Sequence, residues 1–250
     1  MKRFLSLIIV AALALILVGC GGNGLEDKYG ASEKVTIAEE ITSEEAETLI
    51  AEAQTGSDEI TKCTIDVKIE GEMSYAGEKM TAKGDAKIMM DVSDEENIKM
   101  QMDYDITMKA AGVTQKMEMH IYVTDGYVYV DMNVPGEGEM KYKESLATSS
   151  DFSEIAEFTE VVEELLDSLG GALSEASFGK DKDGNLVIQS SEKLDAEYND
   201  EYRIVIKDGL VQYMYLEMNM SGMNYKYDYV YKYDEAKFSF PKNFDAYVEE

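Results

Sequence analysis

Ile98-Lys99-Met100-Gln101-Met102-Asp103-Tyr104-Asp105-Ile106-Thr107-Met108 alternates without a fault. Ile98, Met100, Met102, Tyr104, Ile106 and Met108 fall on one side of an extended chain, with Lys99, Gln101, Asp103, Asp105 and Thr107 on the other. A period of two sustained this long is a strand with one buried and one solvated face. It is also about twice the usual strand of 5–6 residues, which points to a large, strongly curved antiparallel sheet.

The pattern repeats on both sides. Residues Ile60 to Gly71 form one such run, with Cys63, Ile65, Val67 and Ile69 on one face. Ala82 to Val92 form the next, and Ser93 to Asn97 a turn. Downstream, Lys116 to Thr124 carries Met117, Met119, Ile121 and Val123 in phase, and the Asp125-Gly126 hairpin signal leads into Tyr127 to Met132. A second meander follows near the C-terminus. Tyr202 to Lys207 pairs with Leu210 to Met220 across Asp208-Gly209. Met223, Tyr225, Tyr227, Tyr229, Tyr231 and Tyr233 then share one face of a last long strand.

Two helices punctuate the strands. Thr42-Ser43-Glu44-Glu45 is a capping box and opens a helix over 42–54. Asp151 to Leu169 places Ile155, Phe158, Val162, Leu165, Leu166 and Leu169 on one stripe against a face of acids, and Gly170-Gly171 ends it. The expected fold is α+β: one curved antiparallel half-barrel of about 10–11 strands, with both helices on its concave face. A closed lipocalin-like barrel is the alternative.

Composition narrows function. The 250 residues hold 51 Asp and Glu against 23 Lys and Arg, a formal charge of −28. Nucleic-acid binding is excluded, because phosphate contact needs clustered cations. Electrostatic docking on anionic lipid is disfavoured for the same reason. One His and two Cys leave no His-rich or Cys-rich metal site, and no cofactor motif is present. His120 falls on the polar face of its strand, and no G-x-S-x-G accompanies it, so it reads as a surface histidine. Asp181, Asp183, Asn185 and Glu192 mimic calcium-loop spacing, but Gly184 sits where the loop does not need it, and a hairpin turn is expected. Cys63 reads as a small buried hydrophobe. No catalysis is expected.

The N-terminus carries a different message. Lys2 and Arg3 precede an apolar run from Phe4 to Val18, too short for a bilayer span of roughly 20 residues. Leu17-Val18-Gly19-Cys20 resembles the lipobox of bacterial lipoproteins. That resemblance implies that residues 1–19 are an export signal, that Cys20 becomes a lipidated N-terminus, and that residues 20–40 tether a domain of residues 41–250. The mature chain would then sit on the outer face of the cell membrane, most simply of a Gram-positive cell, held through Cys20.

The apolar face is unusual. Sixteen Met and 17 Tyr stand where Leu and Val usually dominate. Met is flexible and polarizable, suited to apolar partners of variable shape. A lipobox, a tether, a helix, a long Met-rich meander, an acidic amphipathic helix and a second meander together resemble the LolA/LolB and LppX/LprG-like half-barrel lipoproteins. The resemblance implies an apolar cavity holding lipid or acyl chains. Met100, Met102, Met117, Met119, Met214, Met218, Tyr225, Tyr227 and Tyr229 are the candidate lining residues on the sheet, with Phe158, Val162 and Leu165 on the second helix. A structural or sensory module that meets an unidentified protein is the competing expectation.

Overall fold

The computed structural model of the chain describes residues 35–57, 60–75, 78–94, 97–134, 138–146, 176–193, 198–220 and 223–249. The export and lipidation segment at 1–20 and the helix expected at 151–169 lie outside these residues.

The described chain is one large, open, curved sheet with one helix. The first elements are β1 (Glu39–Glu40), α1 (Ser43–Ser57), β2 (Lys62–Tyr75), β3 (Glu78–Asp91), β4 (Lys99–Ala110) and β5 (Val113–Thr124). Next come β6 (Tyr127–Val134), β7 (Gly138–Ser145), β8 (Ser177–Lys180) and β9 (Leu186–Lys193). The last are β10 (Tyr198–Lys207), β11 (Leu210–Met220), β12 (Met223–Tyr233) and β13 (Val248–Glu249). The spatial order is β1-β8-β9-β10-β11-β12-β2-β3-β4-β5-β6-β7-β13. Thirteen strands replace the 10–11 expected. The added ones include two-residue edge strands, too short for any periodicity to show. Every pairing is antiparallel except β13 on β7.

Tight turns set the register. Ala111-Gly112, Asp125-Gly126 and Asp208-Gly209 all have positive φ, as two-residue primed hairpin turns require. Their strands pair up to the turn: Ala110 with Val113, Thr124 with Tyr127, Lys207 with Leu210. A bulge after Val205 places Ile206 opposite Val211 and Val205 opposite Tyr213. The extra residue shifts the phase of β11, so Val211 and Met214 face one way while Tyr213 and Tyr215 face the other.

The faces differ sharply. One carries the main core, including Ile65, Val67, Ile88, Met102, Met119, Ile121, Ile188, Ile204 and Tyr229. The opposite, outer face is polar along its middle and is covered at each end by a strap. At one end Val35 and Ile37 pack on Val187, Val205, Tyr213, Tyr215 and Val230. At the other, Phe240, Phe244 and Tyr247 pack on Tyr122, Tyr127 and Tyr129.

Residues 35–40, placed in the tether by sequence, therefore belong to the fold. Val35 is buried, and β1 pairs with β8. Gly179 makes this approach possible, since a Cβ there would lie 2.1 Å from the Ile37 side chain and 2.5 Å from the Glu39 carbonyl. Beyond β1 the chain crosses to the main-core face. The Glu45 N–H donates to Thr42 Oγ1 at 3.2 Å, as the capping pattern predicts. The Glu45 carboxylate also pairs with Lys180 at 2.7 Å. Ala46 and Ile50 enter the main core, and the principal contacts of α1 are with β8 and β11. Of the two helices expected on the concave side, α1 packs on the main-core face against β8 and β11, and 151–169 lies outside the described residues.

Candidate ligand-binding face

Strand register decides which apolar side chains meet. One rung runs from Met140 through Met132, Met119, Tyr104, Ala86, Val67, Tyr229, Met214, Ile204 and Ile188 to Phe178. Each neighbour in it is directly paired. It spans the sheet from β7 to β8. The adjacent rung holds Tyr142, Val130, Ile121, Met102, Ile88, Ile65 and Tyr231. Directly opposite side chains sit about 4.5–5.5 Å apart at Cβ, so the rungs form one continuous Met/Tyr surface.

The sequence candidates on the sheet all belong to it. Met100, Met102, Met119, Met214, Tyr227 and Tyr229 are buried in the main core. Met117, Met218 and Tyr225 are half-buried and pack against it. Phe158, Val162 and Leu165 lie outside the described residues. Tyr104 and Tyr231 belong to the same surface; their alternation with Met102 and Tyr229 was the available signal.

Small residues shape the tyrosine stripe. Gly71 pairs with Tyr225, and a Cβ on Gly71 would lie 3.1 Å from two ring carbons. Gly84 is tighter still: its Cβ would meet the Asp105 carbonyl at 2.2 Å. These glycines let large rings lie across β2 and let β3 and β4 close up. Tyr225 and Tyr227 stack with centroids 6.4 Å apart. Burial pushes the Tyr227 phenol well above its ordinary range. The Tyr104 hydroxyl donates to Met102 Sδ at 3.8 Å.

Cys63 is buried on this face, and burial pushes its thiol up to about 12, far from thiolate character. Among the described residues no group of His, Cys, Asp and Glu is arranged to hold a metal ion. Asp181 accepts from the Asp183 and Asn185 N–H groups at 2.8 and 2.9 Å and from Asn185 Nδ2 at 2.8 Å, which is a turn and not a calcium loop.

The outer face holds the charges. Asp66 is buried between Lys87, at 2.9 Å, and Lys232. Burial raises its pKa, but hydrogen bonds from both lysines outweigh that, and the net direction is down. His120 Nδ1 lies 2.7 Å from Asp103 Oδ1, and this hydrogen bond raises the imidazole pKa against the opposing effect of burial. Gln101 Nε2 donates to Asp103 at 2.9 Å and Gln101 Oε1 accepts from the Ser239 N–H at 2.6 Å, tying the C-terminal strap to the same network. A recess of about 700 Å³ opens here, lined in part by Asp85, Lys87, Asp105, Glu118 and His120. A larger one, about 1020 Å³, lies by the N-terminal strap among Ile37, Glu40, Ile41, Phe178, Ser190 and Glu201.

No family model matches the chain, and no curated protein does. Among solved structures, LprF from Mycobacterium bovis is similar over 82% of this chain and 99% of its own, at 11% identity and a TM-score of 0.42. A DUF1329 family protein from Desulfovibrio piger is similar over 77% of this chain and 94% of its own, at 11% identity and a TM-score of 0.30. Neither likeness bears on the ligand. No helix among the described residues is long and apolar enough to cross a membrane.

Proposed function

We propose that this chain is a lipid-anchored, extracytoplasmic binding protein without catalytic activity, whose Met/Tyr face takes up the acyl chains of an apolar ligand. The observation that carries this is the continuous apolar rung across the sheet, in which Met140, Met132, Met119, Tyr104, Tyr229 and Met214 supply most of the surface. An ordinary core has no need of so many flexible thioethers in one layer, whereas a surface that must fit chains of variable length does. The energy is sufficient: at about 25 cal/mol per Å², burying a few hundred Å² of ligand gives several kcal/mol before ordering costs. Anchoring through Cys20 at the outer face of a Gram-positive membrane follows from the lipobox at Leu17 to Cys20. Two or more acyl chains there are enough for stable attachment.

A second reading has its own observation. Met100, Met102 and Met119 are each 1% exposed, which fits a filled core and a domain that works through its outer face. Native mass spectrometry of the delipidated chain from residue 25 onward, with and without added phospholipid, separates the two. Uptake of lipid supports the carrier. The absence of both co-purified lipid and uptake refutes it. Anchoring is tested by Cys20→Ala, which should leave the protein unprocessed or released; a variant at mature mass in the membrane fraction would refute it.

A further inference from the structure

At one end of the Met/Tyr face four methionines stand in direct register, Met220 on β11, Met223 on β12, Met73 on β2 and Met80 on β3, before the row passes to Ala110 on β4. Met223 on β12 is directly opposite Met73 on β2, and Met73 is directly opposite Met80 on β3. The register through β2 has no shift over its pairing with either neighbour. Alternation from Ile69 and Gly71, from Ala82, and from Tyr225 puts all three on the Met/Tyr face. They differ from Met100, Met102 and Met119 in exposure: all three are half-buried, beyond the residues packed on the main core. Three thioethers therefore stand side by side at a rim that solvent reaches.

We propose that this row is a binding site for a soft monovalent cation, Cu(I) or Ag(I). Thioether sulfur is a soft donor that selects such ions over Zn(II), Mg(II) or Ca(II). Adjacent strands are about 4.8 Å apart, so Met73 sits midway between partners about 10 Å apart. Three rotatable bonds in each side chain let the sulfurs converge on one ion without moving the backbone. The Tyr225 hydroxyl donates to Met223 Sδ at 3.9 Å. That contact occupies one sulfur lone pair, leaving the other for a metal. The ligands are neutral, so the bound ion keeps its charge, which suits a chain of formal charge −28. The site needs no redox step. It is independent of acyl-chain binding, which rests on the rungs deeper in the sheet.

The test is titration of the full chain, purified in non-ionic detergent, with silver nitrate followed by calorimetry. A parallel arm withdraws Cu(I) from a chromophoric chelator under ascorbate. One equivalent of saturable uptake is expected in both. Replacing Met73, Met80 and Met223 by Leu together preserves size and apolarity, and should weaken uptake at least tenfold. Met73→Leu alone removes the central donor and should also weaken it, even if the triple variant folds poorly. Leu at Met100, Met102 and Met119 should leave Ag(I) affinity unchanged, which controls for the buried thioethers, and Cys63→Ala should leave it unchanged too, which controls for the free thiol. Equal Ag(I) affinity in the rim variants, or no saturable uptake by the parent, overturns the site.

Discussion

The two faces of β4 and β5 come from the same residues in the same register, yet they are held by different physics. On one side Met102 pairs with Ile121 and Tyr104 with Met119, all buried and held mainly by dispersion and hydrophobic burial. On the other, Gln101, Asp103 and His120 form a hydrogen-bonded line that ends on the C-terminal strap. The comparison teaches that a one-sided sheet of this length needs its outer face managed as well. It does so with straps at both ends and ion pairs between them. The core face should dominate stability, and the outer face should dominate its pH dependence.

The largest expected effect tests the first half of that statement. Met102→Ala removes a side chain that is 1% exposed, and should cost about 2–5 kcal/mol. Lys83→Ala, on the outer side of β3 in an exposed pair with Glu70, should cost less than about 0.5 kcal/mol. Urea unfolding midpoints at constant slope measure both. Similar costs for the two would break the comparison.

This asymmetry explains what the sequence could and could not show. β4, β5, β11 and β12 were legible because an unbroken alternation demands one buried face. β7 was missed because Tyr142 is its one fully buried side chain, and a single buried residue makes no period. The N-terminal strap was invisible for a related reason: Val35 and Ile37 are isolated apolar residues among polar neighbours. Tyr122, Tyr129, Tyr213 and Tyr215 fall on the polar phase of their strands. They become core only once a strap or an outer-face cluster lands on them. The Met/Tyr candidates were legible as a face, but their exposure was not. Nothing in the alternation separates buried Met102 from half-buried Met73.

The next effect comes from the buried outer-face acid. Asp66→Ala leaves Lys87 and Lys232 without their shared partner and should cost about 1–3 kcal/mol, below the fully buried case because both lysines reach water. Glu217 behaves similarly. Burial opposes its ionisation, yet hydrogen bonds from the Tyr215 hydroxyl, Lys226 and Asn224 bring its carboxyl down to about 2. A carboxylate with a depressed folded pKa contributes stability above its unfolded pKa, and that stability is lost as pH falls through the folded value. The urea midpoint should therefore drop between about pH 4.5 and 2, where an unfolded Glu, near 4.3, has already taken its proton. Glu217→Gln should flatten that drop. An unchanged acid slope in this variant would assign the acid sensitivity elsewhere.

The smallest effect belongs to the single histidine, and its sign is opposite. The Asp103 hydrogen bond raises the folded pKa of His120. Stability from the pair is fully present below the unfolded value of about 6.5 and fades as pH rises through the folded value. The ring is 41% exposed, so solvent screens the pair and the contribution should stay below about 1 kcal/mol. With one histidine in the chain, its ring-proton resonance titrates alone in an NMR spectrum, and the midpoint should lie above 6.5. The urea midpoint should fall slightly from pH 6 to pH 8 in the parent and not in His120→Gln. Gln101→Ala sharpens the point. It removes the amide that joins Asp103 to the Ser239 N–H, so it should loosen the strap, seen as faster amide exchange at 239, while His120 still titrates high against Asp103. If Gln101→Ala instead returned the imidazole to 6.5, the histidine would be reporting the strap and not its own ion pair.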